Sequence, residues 1–211
     1  MIIDIHSHKI PTIKGSALIN LSLYKPEIIE GHYYSAGIHP WSVNGDMSFE
    51  LDRLKEILLL PQVLALGEVG LDSLKSSNKE WQERVLLAQI EMSEYLHKPI
   101  IFHIVKEIDT IIKLKKSLSP KSSWLIHGFR GNDIERVRLR KLGFNLSFGM
   151  RYNQSALLKT PLSELFLESD SDGDILKLLD RVSLLKEIPQ STIMREVANN
   201  IRGFLGTNIV E

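Results

Sequence analysis

Two histidines one residue apart, His6 and His8, stand at the end of the apolar N-terminal run MIIDIHSH. A strand alternates faces, so Asp4, His6 and His8 point the same way. On one face of a strand this is either a pair of metal ligands or the accident of a polar N-terminus. Five more residues of the same chemistry lie at comparable places further along. They are His39 in GIHPW, Glu68 in ALGEVGLD, His103 in PIIFHIV, His127 in WLIHGFRG and Asp170 in LFLESDSDG.

Singly, each has a bland explanation. A histidine at a strand end is commonly a hydrogen-bonded structural residue, and a buried glutamate can be half of an ion pair. Together they are harder to dismiss, because histidines and carboxylates facing one cavity without a cation form a costly cluster of buried polar groups. Two ions about 3.5–4 Å apart need a bridging carboxylate and further ligands on each side. His6, His8, Glu68, His103, His127 and Asp170 supply six ligands, with Glu68 central enough to bridge. The chain has no cysteine, so nitrogen and oxygen ligands fit zinc, manganese, nickel or, with fewer histidines engaged, magnesium. Asp4, two residues below His6, reads as support for the ligands rather than as one of them.

Such residues converge only if the elements carrying them share one end. Short apolar runs bounded by turn signals recur at 1–5, 17–23, 33–38, 63–69, 99–104, 124–127, 144–148 and 165–168, as expected of strands buried in a parallel sheet. Helical spacing follows at 48–60, 79–97, 107–118, 133–142 and 192–204, with Ser48 as an N-cap and Gly143 as a C-cap. Eight strands alternating with helices predict an α/β fold, a (β/α)8 TIM barrel whose strand C-termini all lie on one face. The chain's 211 residues are fewer than the about 250 typical of such barrels. The shortage falls at 9–16 and 24–32, too short for full crossover helices, so reduced outer helices are expected in the N-terminal part. An open sheet with fewer strands is the alternative.

Composition narrows the function classes. With 26 basic and 26 acidic residues the net charge is zero, which counts against a broad duplex-coating surface. No apolar run approaches the roughly 20 residues needed to span a bilayer, and the start lacks the pattern of a secretory signal. No linker or repeat breaks the chain. The expectation is a single cytoplasmic domain over 1–211, with neither a membrane nor an obligate protein partner.

With these residues in place, the chain resembles the TatD-like metal-dependent hydrolases of the amidohydrolase-like superfamily. The resemblance rests on Asp4-Ile5-His6-Ser7-His8, Gly37-Ile38-His39-Pro40, Gly67-Glu68-Val69-Gly70-Leu71-Asp72, Pro99-Ile100-Ile101-Phe102-His103, His127-Gly128-Phe129 and Leu167-Glu168-Ser169-Asp170. It implies a barrel with one or two divalent ions and hydrolysis of phosphodiester bonds in DNA. By resemblance, His6, His8, Glu68 and Asp170 hold one ion, and Glu68, His103 and His127 hold the second. Asp170 also takes the proton of the attacking water, with Glu68 its catalytic partner, and His39 reaches the substrate phosphate. Where the family commonly has an arginine two residues after the strand-five histidine, this chain has Val105, and Ser73-Leu74 replaces the usual tyrosine pair. Lys106 and Arg130 are candidates for the missing phosphate contact, and Lys9 and Arg151 are further basic residues near strand ends.

The expected activity is that of a metal-dependent deoxyribonuclease, a 3′-to-5′ exonuclease acting on single-stranded or frayed ends. Two alternatives keep the metal site: an ester or amide hydrolase such as an aminoacyl-tRNA deacylase, and a non-catalytic metal-binding barrel.

Overall fold

A computed structural model describes residues 1–75 and 78–206. Eight parallel strands follow one another around a nearly closed barrel in chain order. They are β1 (Asp4–Ser7), β2 (Ala17–Leu21), β3 (Tyr33–Ala36), β4 (Val63–Asp72), β5 (Ile100–Val105), β6 (Trp124–Ile126), β7 (Phe144–Phe148) and β8 (Phe166–Leu167). The last gap is bridged next to the histidine pair. Asp170 N–H donates to the His6 carbonyl at 2.9 Å, and His8 N–H donates to the Asp170 carbonyl at 3.1 Å. This is the (β/α)8 TIM barrel the sequence predicts.

The helices are α1 (Ser48–Leu58), α2 (Lys79–Leu96), α3 (Ile108–Leu118), α4 (Asp133–Lys141), α5 (Gln154–Lys159), α6 (Ile175–Lys186) and α7 (Gln190–Leu205). Residues 8–16 and 22–32 contain no helix, so the outer ring is thin where the sequence is short. α1 begins one position earlier than a Ser48 cap implies. Met47 is its N-cap residue, and Asp46 takes the capping part by accepting from Ser48 N–H at 3.1 Å. At the other marker, Gly143 takes a left-handed φ of 78° just past the end of α4. α5 and α6 are additions to the sequence reading.

One helix face differs from its apolar pattern. Tyr95 of α2 is 78% exposed, whereas Gln82, Gln89 and Ser93 are buried beside Val85, Leu86 and Ile90. The two glutamines hold backbone at the site end of the barrel. Gln89 accepts from Ile38 N–H at 2.7 Å and donates to the Ile38 carbonyl, and Gln82 accepts from Asp72 N–H at 2.9 Å. Buried amides fully engaged in this way are cheap, and they fix the exits of β3 and β4.

β4 is buried along all ten residues and runs beside β5, with Gly70 opposite His103. A Cβ on Gly70 would lie 1.9 Å from the His103 carbonyl oxygen. The residue at position 70 must be glycine for β5 to carry His103 alongside β4.

Candidate metal centre

Glu68 sits at the floor of the C-terminal mouth, 4% exposed, and its two oxygens face different partners. Oε2 lies 3.3 Å from His6 Nε2 and 3.2 Å from His8 Nε2. Oε1 lies 2.7 Å from His103 Nδ1, 2.8 Å from His127 Nε2 and 3.2 Å from His39 Nε2. Asp170 stands on the Oε2 side, its Oδ1 3.6 Å from His8 and 3.9 Å from His6. All six ligand candidates and His39 are therefore gathered in one place, from the ends of β1, β3, β5, β6 and β8 and from within β4, which runs on past Glu68 to Asp72.

Asp170 has a left-handed φ of 52° and is clamped between the backbones of His6 and His8, which aims its side chain across the mouth. Asp4 stays behind the site. It accepts from Ser169 N–H at 3.0 Å and from Ser169 Oγ at 2.7 Å, steadying the segment that leads into Asp170. Burial pushes the Asp4 carboxyl up to about 7, against those hydrogen bonds.

Two carboxylates that the sequence reading did not single out complete the arrangement. His103 turns Nε2 to Asp72 Oδ2 at 3.3 Å, and His127 turns Nδ1 to Glu168 Oε1 at 3.3 Å. Each histidine thus gives one ring nitrogen to Glu68 and the other to an outer carboxylate, the arrangement that orients metal-bound imidazoles. Asp72 is itself held by Trp41 Nε1–H at 2.7 Å, and Glu168 accepts from the Ser147 hydroxyl. The signal was available: Glu68, Gly70 and Asp72 share strand parity, as do Glu168 and Asp170.

His39 differs from the other histidines. Its Nδ1 accepts from Trp41 N–H at 3.1 Å, so in the neutral ring the proton sits on Nε2. Nε2 then faces Glu68 as a donor, with no lone pair to offer an ion. That suits a group that donates to a substrate oxygen.

The electrostatics match a cation site. Burial would push Glu68 up, but the imidazoles of His103, His127 and His39 hold its carboxyl far below the usual carboxylate range. Burial disfavours charge on His127, yet Glu168 and Glu68 raise it well above an ordinary imidazole. His8 is also raised, chiefly by its hydrogen bond to Glu68. His6 supplies the geometric test. It is fully buried, and its Nε2 faces Glu68 Oε2 at 3.3 Å without a well-formed hydrogen bond, a cost that a divalent cation at that nitrogen removes. Ligand atoms of His6, His8 and Glu68 lie within 4.8 Å of one another, and so do those of His127, Glu168 and Asp170; the third such set, His39–Glu68–His103, includes the ring whose Nε2 carries the proton. The donors fit divalent metal, without selecting which.

A cavity of about 870 Å³ opens over this cluster and is lined by Lys106 and Arg130 as well as His39. Neither cation pairs with a carboxylate among the described residues. Lys9 does not line the cavity, and Arg151 pairs with Asp172 at 2.6 Å. Among the described residues no helix is long and apolar enough to cross a membrane.

Comparison with known proteins agrees with this geometry. The chain is 30% identical over 154 residues to an uncharacterized metal-dependent hydrolase of Buchnera aphidicola, a match covering 66% of this chain and 58% of that one. It is 27% identical over 147 residues to the uncharacterized metal-dependent hydrolase YcfH of Escherichia coli K12, covering 65% and 55%. The matches thus span less than two thirds of the length of these curated relatives. In fold it is similar to the crystal structure of the TatD homologue YJJV of E. coli K12, with a TM-score of 0.80, 19% identity and 96% of each chain covered. A TatD family hydrolase of Entamoeba histolytica superimposes with a TM-score of 0.69, at 18% identity over 82% of this chain and 74% of that one. The profile described as TatD related DNase matches residues 16–204. This chain belongs to the TatD related DNase family.

Proposed function

We propose that the chain is a metal-dependent hydrolase of phosphodiester bonds, a deoxyribonuclease that works from single-stranded or frayed ends. The observation that carries the reading is the division of Glu68, one oxygen toward His6 and His8 and the other toward His103 and His127. A carboxylate so placed is built to bridge two cations. His6, His8, Glu68 and Asp170 would hold one ion, and Glu68, His103 and His127 the other. Divalent ions there supply Lewis acidity toward a phosphoryl oxygen and lower the pKa of water.

The chain's own groups do the rest. Asp170 Oδ1 stands at the open edge of the cluster, 31% exposed, and accepts the proton of the attacking water. His39 Nε2–H donates to a non-bridging phosphate oxygen in exchange for Glu68. Lys106 and Arg130, on the cavity wall and without a carboxylate partner among the described residues, take the flanking phosphates where Val105 offers no charge. Glu68 and His127 lie deep, so a scissile bond must be lowered to them, which a frayed end does more cheaply than continuous duplex.

The test is cleavage of 5′- and 3′-labelled single- and double-stranded oligonucleotides by the full chain with Mg²⁺ or Mn²⁺. Stepwise shortening from the 3′ end of single strands is expected. No cleavage by a metal-loaded sample would overturn the reading, and turnover of an aminoacyl ester instead would favour the acyl-hydrolase alternative.

A further inference from the structure

The cavity over the cluster is larger than a phosphoryl group needs, and its far part is apolar. β5 carries His103, and His127 directly follows β6, both turned toward Glu68. The next residue back or forward, Ile104 on β5 and Ile126 on β6, points to the opposite face, yet both line the same cavity. Ile108 from α3 and Phe129 and Leu139 from the α4 side complete this wall. The space therefore runs over the ends of β5 and β6 into the seam between α3 and α4. Arg138 lines its outer end and reaches across the seam to Asp109 at 3.0 Å.

We propose that this cleft is a nucleobase subsite, taking the terminal base of a nucleotide whose phosphate lies on the Glu68 cluster; the proposal rests on the phosphodiesterase reading. Three features select a base over an alkyl chain. Phe129 gives the wall an aromatic ring, and base stacking on such a ring strengthens binding by roughly 5- to 150-fold. The far rim is polar: Arg138, paired with Asp109, keeps further N–H groups, and Glu135, whose Oε2 accepts from Asn132 N–H, keeps a second carboxylate oxygen for a base edge. Lys106 and Arg130 line the cavity too, so the backbone phosphates attached to that base have cations to meet.

The test compares deoxyadenosine 5′-monophosphate with 2-deoxyribose 5-phosphate, which share the phosphate and sugar and differ by the base. Titration calorimetry of the full chain loaded with Mn²⁺ is expected to show the nucleotide binding at least tenfold more tightly. Ile104→Trp, which fills the cleft from a partly buried position, is expected to bring the two within twofold while metal content stays unchanged. Ile108→Phe serves the same purpose should Ile104→Trp not fold. Equal affinities in the native chain, or an undiminished preference in the folded filled variant, would overturn the subsite. Oligonucleotide cleavage reads the other claim separately. Base-dependent binding without cleavage would remove the phosphodiesterase reading and leave the subsite, and cleavage without base dependence would do the reverse.

Discussion

At Glu68 one side chain meets five imidazoles, and the partition between its oxygens makes the site a candidate two-ion centre. The carboxylates behind the histidines matter for the same reason. Asp72→Asn and Glu168→Gln keep shape but weaken the hold on His103 and His127. Each is expected to lower metal affinity by about 10- to 100-fold, measured by competition with a chromophoric chelator. At this scale the sequence brings out the ligand candidates, because His6, His8, Glu68, His103, His127 and Asp170 all lie in or just after short apolar runs. It is less informative about support. Asp72 and Glu168 sit beside stronger candidates, and strand parity, the one signal they carry, places them on the same face without telling a supporting carboxylate from a ligand.

The strands and helices turn those residues into a site. Gly70 lets β5 lie against β4, so Gly70→Ala is expected to displace His103. The variant should lose metal affinity along with several degrees of melting temperature, since the added methyl meets backbone rather than a yielding side chain. Gln89→Leu removes the partners of the Ile38 N–H and carbonyl, and is expected to cost about 1–3 kcal/mol in denaturant unfolding. Such glutamines explain where helix reading by apolar spacing falls short. The inward face of α2 is half polar because it bonds the strand exits, so apolar spacing alone does not mark its buried side, and Tyr95 faces water. α5, six residues long, is too short to show a period. α6 did carry a signal in Asp174, whose side chain accepts from Leu176 and Lys177 N–H. Barrel strands were plain by contrast, since burial on both faces leaves unbroken apolar runs.

For the whole molecule, closure and charge set the working range. β1 and the segment after β8 close the barrel through Asp170, so the site and the last seam of the fold are one structure. Loading with metal is therefore expected to raise the thermal midpoint in a concentration-dependent way. Acid stability has an independent marker at Glu107. Burial opposes its charge, but Lys79, Ser73 and Thr110 hold the carboxyl down at about 2, from 4.5 in an unfolded chain. A depressed carboxylate stabilises the fold above its unfolded pKa, and that contribution is lost as pH falls from about 4.5 toward 2. Glu107→Gln is expected to flatten the stability–pH curve in that window and leave its slope near neutrality unchanged, as followed by urea unfolding at a series of pH values.

The central claim is that Glu68 bridges two cations. Anomalous diffraction from crystals loaded with Mn²⁺ or Zn²⁺ tests it directly. Two peaks about 3.5–4 Å apart are expected, one beside each Glu68 oxygen. The first should lie among His6, His8 and Asp170, and the second between His103 and His127. A map from fully loaded crystals with one peak or none against the Glu68 carboxylate would contradict the account.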